Sequence, residues 1–310
     1  MERILRREIE VIARDHQGGA TAIALRAASA LEAWSRRERD PAEAELLEIA
    51  EALLRAQPSM APLLRLANEV AHAVDAPDPR AQLAAVSRRF RSELRSAADR
   101  IAAKFYRWIR RRGEKEIVYT YSYSSTVAKA LLRARSRIES VCCSESRPGN
   151  EGLLMALRLS RGGIKTEFFS DAGLFSQTFS GVVAVLGADA VLPGWIACKA
   201  GSRVLIHETR RARGTVVLLA DTTKFWPERS RKPPRWDWTF GPEEDLWKNP
   251  PRRVSVYNLY FELVRHSPRI LLLTERGWMS PRQVKRALDT IEVSPRLREI
   301  AAERGSSAND

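Results

Sequence analysis

Cysteine and histidine are scarce in this chain, and their scarcity excludes several classes of protein. Three cysteines in 310 residues, two of them adjacent at Cys142 and Cys143, cannot form the framework of a disulfide-rich secreted domain. A reducing cytoplasm is therefore the expected location. The histidines show no metal-ligand spacing, so we expect no metal and no cofactor; they are His16, His72, His207 and His266.

Long apolar runs are absent as well. The longest, Val182 to Leu192, contains Asp189 and is too short to cross a bilayer. The chain opens with Met1-Glu2-Arg3 and further charges, and it lacks the apolar core of a secretory signal there. We therefore expect no membrane partner.

Positive charge, in contrast, is abundant. The formal net charge is +14 at pH 7, and clustered cations gain affinity for nucleic acids by releasing counterions. Arginines recur between Arg88 and Arg111, beside an apolar stripe that runs from Phe90 to Trp108. This pattern is typical of a solvated amphipathic helix. Binding of RNA or an acidic protein stays open as an alternative, although no recognition motif accompanies the charge.

The texture of the sequence changes near Glu114. Residues 1–113 have a helical pattern, whereas short β-rich runs alternate with helical segments over residues 114–304. Such alternation predicts an α/β domain with a mostly parallel sheet covered on both faces. Residues 226–251 are predicted to form an irregular, Trp-rich insertion, and residues 305–310 a disordered tail.

Within the second domain the pattern predicts six strands and the helices between them. The strands are Glu116–Tyr121, Ile138–Cys143, Ile164–Phe169, Val182–Leu186, Thr215–Leu219 and Ile270–Thr274. The helices are Ser125–Arg137, Pro148–Arg161, Asp171–Phe179, Gly201–Arg213 and one from Pro281.

Polar clusters follow several of these apolar runs, and the carboxyl ends of parallel strands border one crevice. Ser124 and Ser125 begin a helix whose free amides attract an anion, although a simple helix cap is the alternative. Arg147 offers a planar fork to phosphate, which Glu145 would orient unless the two form only a surface ion pair.

Two more clusters lie further along the chain. Asp189 follows a strand of the kind that is buried on both faces, so it could act as an acid or base on a sugar, or accept backbone N–H bonds in a loop. Lys199 and Gly201 precede the next helix and allow close approach of a phosphate. Together the clusters predict a site for a phosphorylated, hydroxyl-rich molecule.

In their order and spacing, these elements resemble the initiation factor 2B alpha/beta/delta family, which includes ribose-1,5-bisphosphate isomerase and methylthioribose-1-phosphate isomerase. The resemblance spans residues 117–286, and Gly18-Gly19-Ala20 resembles the amino-terminal glycine element of the family. The matching motifs are Glu145-Ser146-Arg147-Pro148, Gly187-Ala188-Asp189, Lys199-Ala200-Gly201-Ser202 and Thr274-Glu275-Arg276-Gly277.

The resemblance implies a helical amino-terminal domain, a Rossmann-like carboxy-terminal domain and homo-oligomers, dimeric or larger, that assemble through the second domain. It also implies an interdomain crevice for a phosphorylated sugar or a nucleoside monophosphate. Asp189 matches the catalytic aspartate of the isomerases by position. Arg147 and Lys199 match ligand-contacting positions, and Gly19 lies in the element that closes over the phosphate.

The sequence departs from the isomerases at Ser122. Their first strand ends in Thr-His-Cys, and here it reads Thr120-Tyr121-Ser122. A thiol exchanges protons near neutral pH, which an unassisted hydroxyl does not. Cys198 replaces the family's asparagine before Lys199; it either brings a thiol to the crevice or packs as a small hydrophobic residue. An aldose-ketose isomerase and a non-catalytic regulatory subunit that senses the same ligand class are the two functions left open.

Overall fold

The computed structural model describes residues 1–15, 19–37, 41–177, 181–227 and 240–307, with side chains described up to residue 301. The helices are α1 (Arg3–Ala13), α2 (Ala20–Arg37), α3 (Glu43–Ala56), α4 (Ala61–Ala73), α5 (Pro79–Arg110), α6 (Ser125–Arg133), α7 (Glu151–Arg161), α8 (Asp171–Phe175), α9 (Ser202–Arg211), α10 (Glu243–Leu246), α11 (Pro281–Asp289) and α12 (Pro295–Ser307). The strands are β1 (Glu116–Tyr119), β2 (Ile138–Ser144), β3 (Thr166–Phe169), β4 (Val183–Gly187), β5 (Ala190–Leu192), β6 (Trp195–Lys199), β7 (Thr215–Leu219), β8 (Phe261–Arg265), β9 (Leu271–Thr274) and β10 (Gly277–Met279).

The residues divide into two compact units. The first contains Met1–Ser96, Thr223–Pro227 and Ala287–Asp310, and the second contains Ala97–Thr222 and Glu228–Arg286. The division falls within α5, and the domain boundary at residue 113 stays a prediction.

The first unit is helical because its segments repeat apolar residues at helical spacing. In α3, for example, Leu46, Ile49 and Leu53 are fully buried along one face. The carboxamide of Asn68 fastens the chain before α12: its Nδ2 donates to the Glu292 carbonyl at 2.8 Å, and its Oδ1 accepts from the Ser294 amide at 2.8 Å. The helical amino-terminal region is thus confirmed.

The second unit contains a seven-stranded sheet in the order β10-β9-β7-β4-β1-β2-β3. Neighbouring strands are parallel except for β9 and β10, which are antiparallel. The central strands are buried on both faces, as expected when helices cover a parallel sheet. The predicted α/β class with a mostly parallel sheet is confirmed.

A second, antiparallel sheet of three strands, β5-β6-β8, was not predicted. A two-residue turn at Pro193 and Gly194 joins β5 to β6, and Gly194 has φ +81°. Proline followed by a glycine at positive φ is the signature of a type II turn, so the sequence carried a signal for this hairpin. One consequence is that Lys199 ends β6 of this small sheet and does not follow a strand of the main sheet.

Several predicted boundaries were wrong. The helix predicted from Pro148 begins at Glu151, and the one predicted from Asp171 ends at Phe175. Ile270–Thr274 was expected to be the last strand, but β10 follows it. α12 continues to Ser307, into the segment predicted as a tail, whereas residues 228–239 of the Trp-rich insertion lie outside the described residues. In the part of the chain that the structure describes, no helix combines the length and apolar character of a membrane span.

Candidate functional site

A hydrogen bond joins the loop after β1 to the loop after β2. The Ser122 amide donates to Ser146 Oγ at 2.8 Å, and the Ser146 side chain is completely buried. Both serines have φ +62°, a conformation that non-glycine residues adopt only when their surroundings hold them in it. The structure therefore brings together two of the predicted clusters, which are separated in sequence by a helix and a strand.

Asp171, the first residue of α8, organises this junction. Its carboxylate accepts from the amides of Ser146 and Arg147, both at 2.8 Å, and from the Tyr121 hydroxyl at 3.3 Å. Burial, together with the nearby Asp171 charge, raises the pKa of Tyr121, which keeps its proton as the donor. The Asp171 amide in turn donates to Glu145 Oε1 at 3.4 Å. Asp171 was not predicted as a site residue, although the sequence pattern placed it at the start of a helix directly after a strand.

Replacing Asp171 by alanine is expected to lower the free energy of unfolding by about 2–3 kcal/mol, because buried donors then lose a charged acceptor. Urea denaturation followed by circular dichroism measures the change. Asp99→Ala is the control: Asp99 pairs with Lys129 at 2.6 Å but is 61% exposed, so the loss there should be below about 1 kcal/mol. Equal losses in the two variants would contradict this role for Asp171.

The side chain of Lys199 is buried and makes its contacts inside the protein. Its Nζ donates to Glu151 Oε1 at 2.7 Å and lies 3.3 Å from the centroid of the Tyr260 ring. The Tyr260 hydroxyl donates to the same Oε1 at 3.0 Å. Lys199 and Glu151 are 5% and 7% exposed, so their charges are removed from water together.

The charge of Asp189 also acts on Lys199. Burial lowers the pKa of Lys199, and the charges of Glu151, Asp189 and Asp171 oppose that decrease. Asp189 follows β4, and its amide donates to the Ala197 carbonyl of β6 at 2.9 Å. The hairpin that carries Lys199 is thereby hydrogen-bonded to Asp189, which the sequence predicted as a catalytic residue.

The amino terminus of α9, a predicted phosphate cradle, holds a carboxylate of the chain itself. The amides of Gly201 and Arg203 donate to Glu262 Oε1 at 3.0 and 2.6 Å. Gly201 has φ +104°, and a Cβ there would stand 2.8 Å from the Tyr121 ring, so only glycine fits. Burial raises the pKa of Glu262 even though these hydrogen bonds favour its charged form.

A similar arrangement occurs after β7, where Glu275 accepts from the Thr222 amide at 3.1 Å and from its hydroxyl at 2.5 Å. Carboxylates thus hold donors at four places around the carboxyl ends of the strands: Glu151, Asp171, Glu262 and Glu275. We call this region the carboxyl-edge site. It includes the predicted site residues that border it, which are Ser122, Ser124, Ser125, Glu145, Arg147, Asp189, Cys198, Lys199 and Gly201.

The remaining predicted residues have varied positions. Ser124 caps α6 by accepting from the Val127 amide at 3.4 Å, and Ser125 begins that helix. Arg147 is exposed, and in the described part of the chain its guanidinium makes no hydrogen bond or ion pair. Cys198 is completely buried on β6. Gly19 lies in the first unit, where its carbonyl accepts from the amides at the start of α2, and its neighbour Gly18 is outside the described residues.

Metal binding has no support from the side chains that the structure describes, since none of them form a group of three or more His, Cys, Asp or Glu suited to an ion.

Burial raises the pKa of the Cys143 thiol to about 12, and it raises that of Cys142 as well. These two thiols are therefore protonated at neutral pH and are poor nucleophiles.

The fold and the carboxyl-edge site define an α/β protein with a helical amino-terminal region and a polar cluster at the ends of its strands. The model of the initiation factor 2 subunit family matches residues 16–281, and the chain belongs to that family. The resemblance noted from the motifs is thereby confirmed.

Curated relatives include Pyrococcus proteins described as resembling subunit 2 of translation initiation factor eIF-2B. The one from Pyrococcus horikoshii is 30% identical over 190 residues, which cover 60% of this chain and 66% of the relative. The one from Pyrococcus furiosus is 30% identical over 173 residues, covering 54% of this chain and 58% of the relative. The chain thus spans less than two thirds of the length of these relatives.

Solved structures share the fold. Translation initiation factor eIF-2B of Pyrococcus horikoshii has a TM-score of 0.75 at 23% identity, covering 91% of this chain and 98% of that one. A tetrameric complex of eIF2B beta and delta from C. thermophilum gives 0.65 at 16% identity, covering 92% and 93%. The 5-methylthioribose 1-phosphate isomerase of Pyrococcus horikoshii gives 0.64 at 18% identity, covering 96% and 88%.

Proposed function

We propose that this chain is a non-catalytic, ligand-binding subunit of the initiation factor 2B type, which binds a phosphorylated sugar or nucleotide at the carboxyl-edge site. The environment of Ser122 carries the proposal. This serine stands where the isomerases have their cysteine, and its hydroxyl makes no hydrogen bond to any residue that the structure describes. A serine without a base within hydrogen-bond reach is neither a nucleophile nor a proton carrier at neutral pH.

The state of Lys199 supports the same conclusion. Its ammonium is buried, paired with Glu151 and covered by Tyr260. A phosphate that recruited Lys199 would have to displace this carboxylate and leave it buried without its partner, which is unfavourable. Lys199 therefore acts mainly in holding β6 and α7 together.

Ligand binding is assigned to four side chains of the carboxyl-edge site. The exposed guanidinium of Arg147 suits bidentate contact with a phosphate, and the hydroxyls of Ser122 and Ser125 can bond to phosphate or sugar oxygens. Asp189 is an acceptor suited to sugar hydroxyls. This set favours a sugar phosphate or a nucleoside monophosphate as the partner.

Two measurements on the same protein test the proposal. In calorimetric titrations, ribose 1,5-bisphosphate or a nucleoside monophosphate is expected to bind, and Arg147→Gln is expected to weaken binding about tenfold through loss of a charged hydrogen-bond donor. Arg210→Gln is the control, because Arg210 is exposed on α9 and has no ion-pair partner among the described residues. In NMR spectra of the same mixtures, no ribulose product should appear. Absence of binding, or turnover to ribulose, would contradict the proposal.

The alternative, isomerase activity, is supported by the position of Asp189, whose amide donates to the Ala197 carbonyl in the strand that ends with Lys199 and whose charge raises the pKa of Lys199. In that case Asp189 would move the proton and Ser122 would only donate a hydrogen bond. Detection of ribulose 1,5-bisphosphate in the NMR experiment, and its loss in Asp189→Asn, would decide for this alternative.

Assembly into a homo-oligomer of two or more copies through the carboxy-terminal domain is also proposed. The α7 surface exposes Leu153, Leu154 and Leu157, each 46–51% exposed, and a patch of this kind is typical of a protein interface. Light scattering would report the mass of the assembly.

Contact of the Arg-rich face of α5 with RNA or an acidic protein is a secondary proposal. Part of the charge of this face is used internally, as in the ion pairs of Arg89 with Glu69 and of Arg91 with Glu32. Retention of RNA at low salt would test RNA as a partner.

A further inference from the structure

A cavity lies in the same unit as the carboxyl-edge site but away from that site. It has a volume of about 850 Å³ and is open to solvent. Its walls come from the loop after β8, the start of β9, the edge strand β10 and the first turn of α11. Because Ile270 and Leu271 are at the start of β9, whereas Thr274 and Glu275 are at its other end, the cavity and the carboxyl-edge site lie at opposite ends of this strand.

The wall of this β10 cavity combines apolar surface with cations. Ile270, Leu271, Leu272, Trp278 and Met279 supply the apolar part. Trp278 is 38% exposed and packs against Trp108, with ring centroids 5.5 Å apart, so its ring is held in place. An apolar wall with a fixed aromatic ring suits an aromatic or aliphatic group.

Charge distinguishes this cavity from a simple apolar groove. Arg265 and Arg282 line it, both are exposed, and neither forms an ion pair within the described residues. Among the described residues that line it there is no aspartate or glutamate. Two cations with no lining carboxylate favour an anion at this place.

Two buried polar atoms at the cavity also lack partners. His266 is 7% exposed, and neither its Nε2 nor Ser267 Oγ has a hydrogen-bond partner in the part of the chain that the structure describes. Both residues line the cavity. Buried polar atoms are normally satisfied by protein groups, water or a ligand, so His266 and Ser267 are polar side chains of the wall with hydrogen-bonding capacity left unused by the described residues.

We propose that the β10 cavity binds a small organic anion, with an aromatic or aliphatic body against Trp278 and Met279 and an acidic group at Arg265 and Arg282. His266 and Ser267 bond to polar atoms of the same molecule. The volume lies within the range of roughly 300–1,000 Å³ that is usual for small-molecule sites. The proposal is independent of the ligand at the carboxyl-edge site.

The probe for this test is 8-anilinonaphthalene-1-sulfonate, an aromatic sulfonate that fluoresces in apolar surroundings. With the full, natively folded chain we expect saturable binding of one probe per chain. Removing both cations, Arg265→Gln with Arg282→Gln, should weaken binding about tenfold. Arg210→Gln should leave it within about twofold. N-phenyl-1-naphthylamine, an uncharged aromatic probe, should bind the double variant and the parent protein alike.

Methyl NMR locates the probe. The chain has four methionines, and with [¹³C]methyl-methionine the Met279 signal, assigned through Met279→Leu, should shift on titration. The signal of Met155, which is completely buried, should not move. An unshifted Met279 signal, or an affinity that is the same in the double variant as in Arg210→Gln, would overturn the proposal.

Discussion

Replacing Glu151 by glutamine lowers the free energy of unfolding by about 3–5 kcal/mol at neutral pH, the usual cost of removing one partner from a buried ion pair. The reason is the position of Lys199, which is 5% exposed and donates to Glu151 Oε1 at 2.7 Å. In the variant its ammonium stays buried without the carboxylate to which it is hydrogen-bonded. Urea denaturation followed by tryptophan fluorescence measures the loss.

The loss should shrink as the pH rises. Burial already lowers the pKa of Lys199, and removing Glu151 takes away the main group that raises it. A lysine with a lowered pKa releases its proton in the folded protein before it does so in the unfolded chain, where the pKa is about 10.4. The folded state then binds fewer protons, so stability rises with pH between the two pKa values. Denaturation curves at pH 7 and pH 9.5 should show this recovery.

The double variant Glu151→Leu with Lys199→Met controls for the loss of volume and contacts. With both charges gone no ion is left buried, so most of the stability should return. A second control is Glu167→Gln, because Glu167 pairs with Lys165 at 3.3 Å but is 42% exposed; its effect should be below about 1 kcal/mol. If the double variant is as unstable as Glu151→Gln, the loss comes from packing and not from the unpaired ammonium.

Gly152→Ala is expected to have the second large effect, a loss of at least about 3 kcal/mol or failure to fold. A Cβ at residue 152 would stand 1.6 Å from the Ser144 carbonyl oxygen and 3.0 Å from Ser146 Oγ. The carbonyl belongs to the backbone of β2 and cannot rotate away, so α7 would have to shift from the strand. Since the Gly152 amide also donates to the Glu145 carbonyl at 3.1 Å, the shift would disturb the Glu145–Arg147 loop.

Gly173→Ala is the matched control, because Gly173 also lies in a helix and the nearest atom to its Cβ would be Ser170 Oγ at 3.0 Å. The cost of fitting that methyl group should be offset in part by the higher helix propensity of alanine. The change should therefore remain within about 1 kcal/mol. Thermal unfolding of both variants makes the comparison, and equal melting temperatures would show that the β2 carbonyl yields more readily than its geometry indicates.

The sequence predicted the main sheet well because alternating strands and helices leave a strong periodic signal. Thr215–Leu219 was predicted to the residue, and the other strands of the parallel core were placed within a few residues. The small sheet was missed because β5 has only three residues, Ala190–Leu192, and because β8, which pairs with β6, begins far along the chain at Phe261. Such pairings are decided by contacts between distant segments, which local patterns do not record.

Prediction of the site was limited in the same way. The positions of Ser122, Ser146 and Arg147 after β1 and β2 followed from the topology rule for parallel sheets. Their partner Asp171, which comes from beyond β3, did not follow from that rule. Nor did Glu262 of β8, which accepts from the Gly201 amide. The sequence shows which donor groups a phosphate could use. Only the folded chain shows that carboxylates of the same chain already accept hydrogen bonds from several of these donors.

The hydrogen bond between the Ser122 amide and Ser146 Oγ has an evolutionary consequence. The bond uses the backbone of residue 122, so the loop is held whatever atom stands at the γ position. Exchange of serine and cysteine there alters one atom and leaves the contact that fixes the loop intact. Gain or loss of a thiol at residue 122 is therefore nearly neutral for folding, and the reactivity of this position can change in a single step without rebuilding the loop around it.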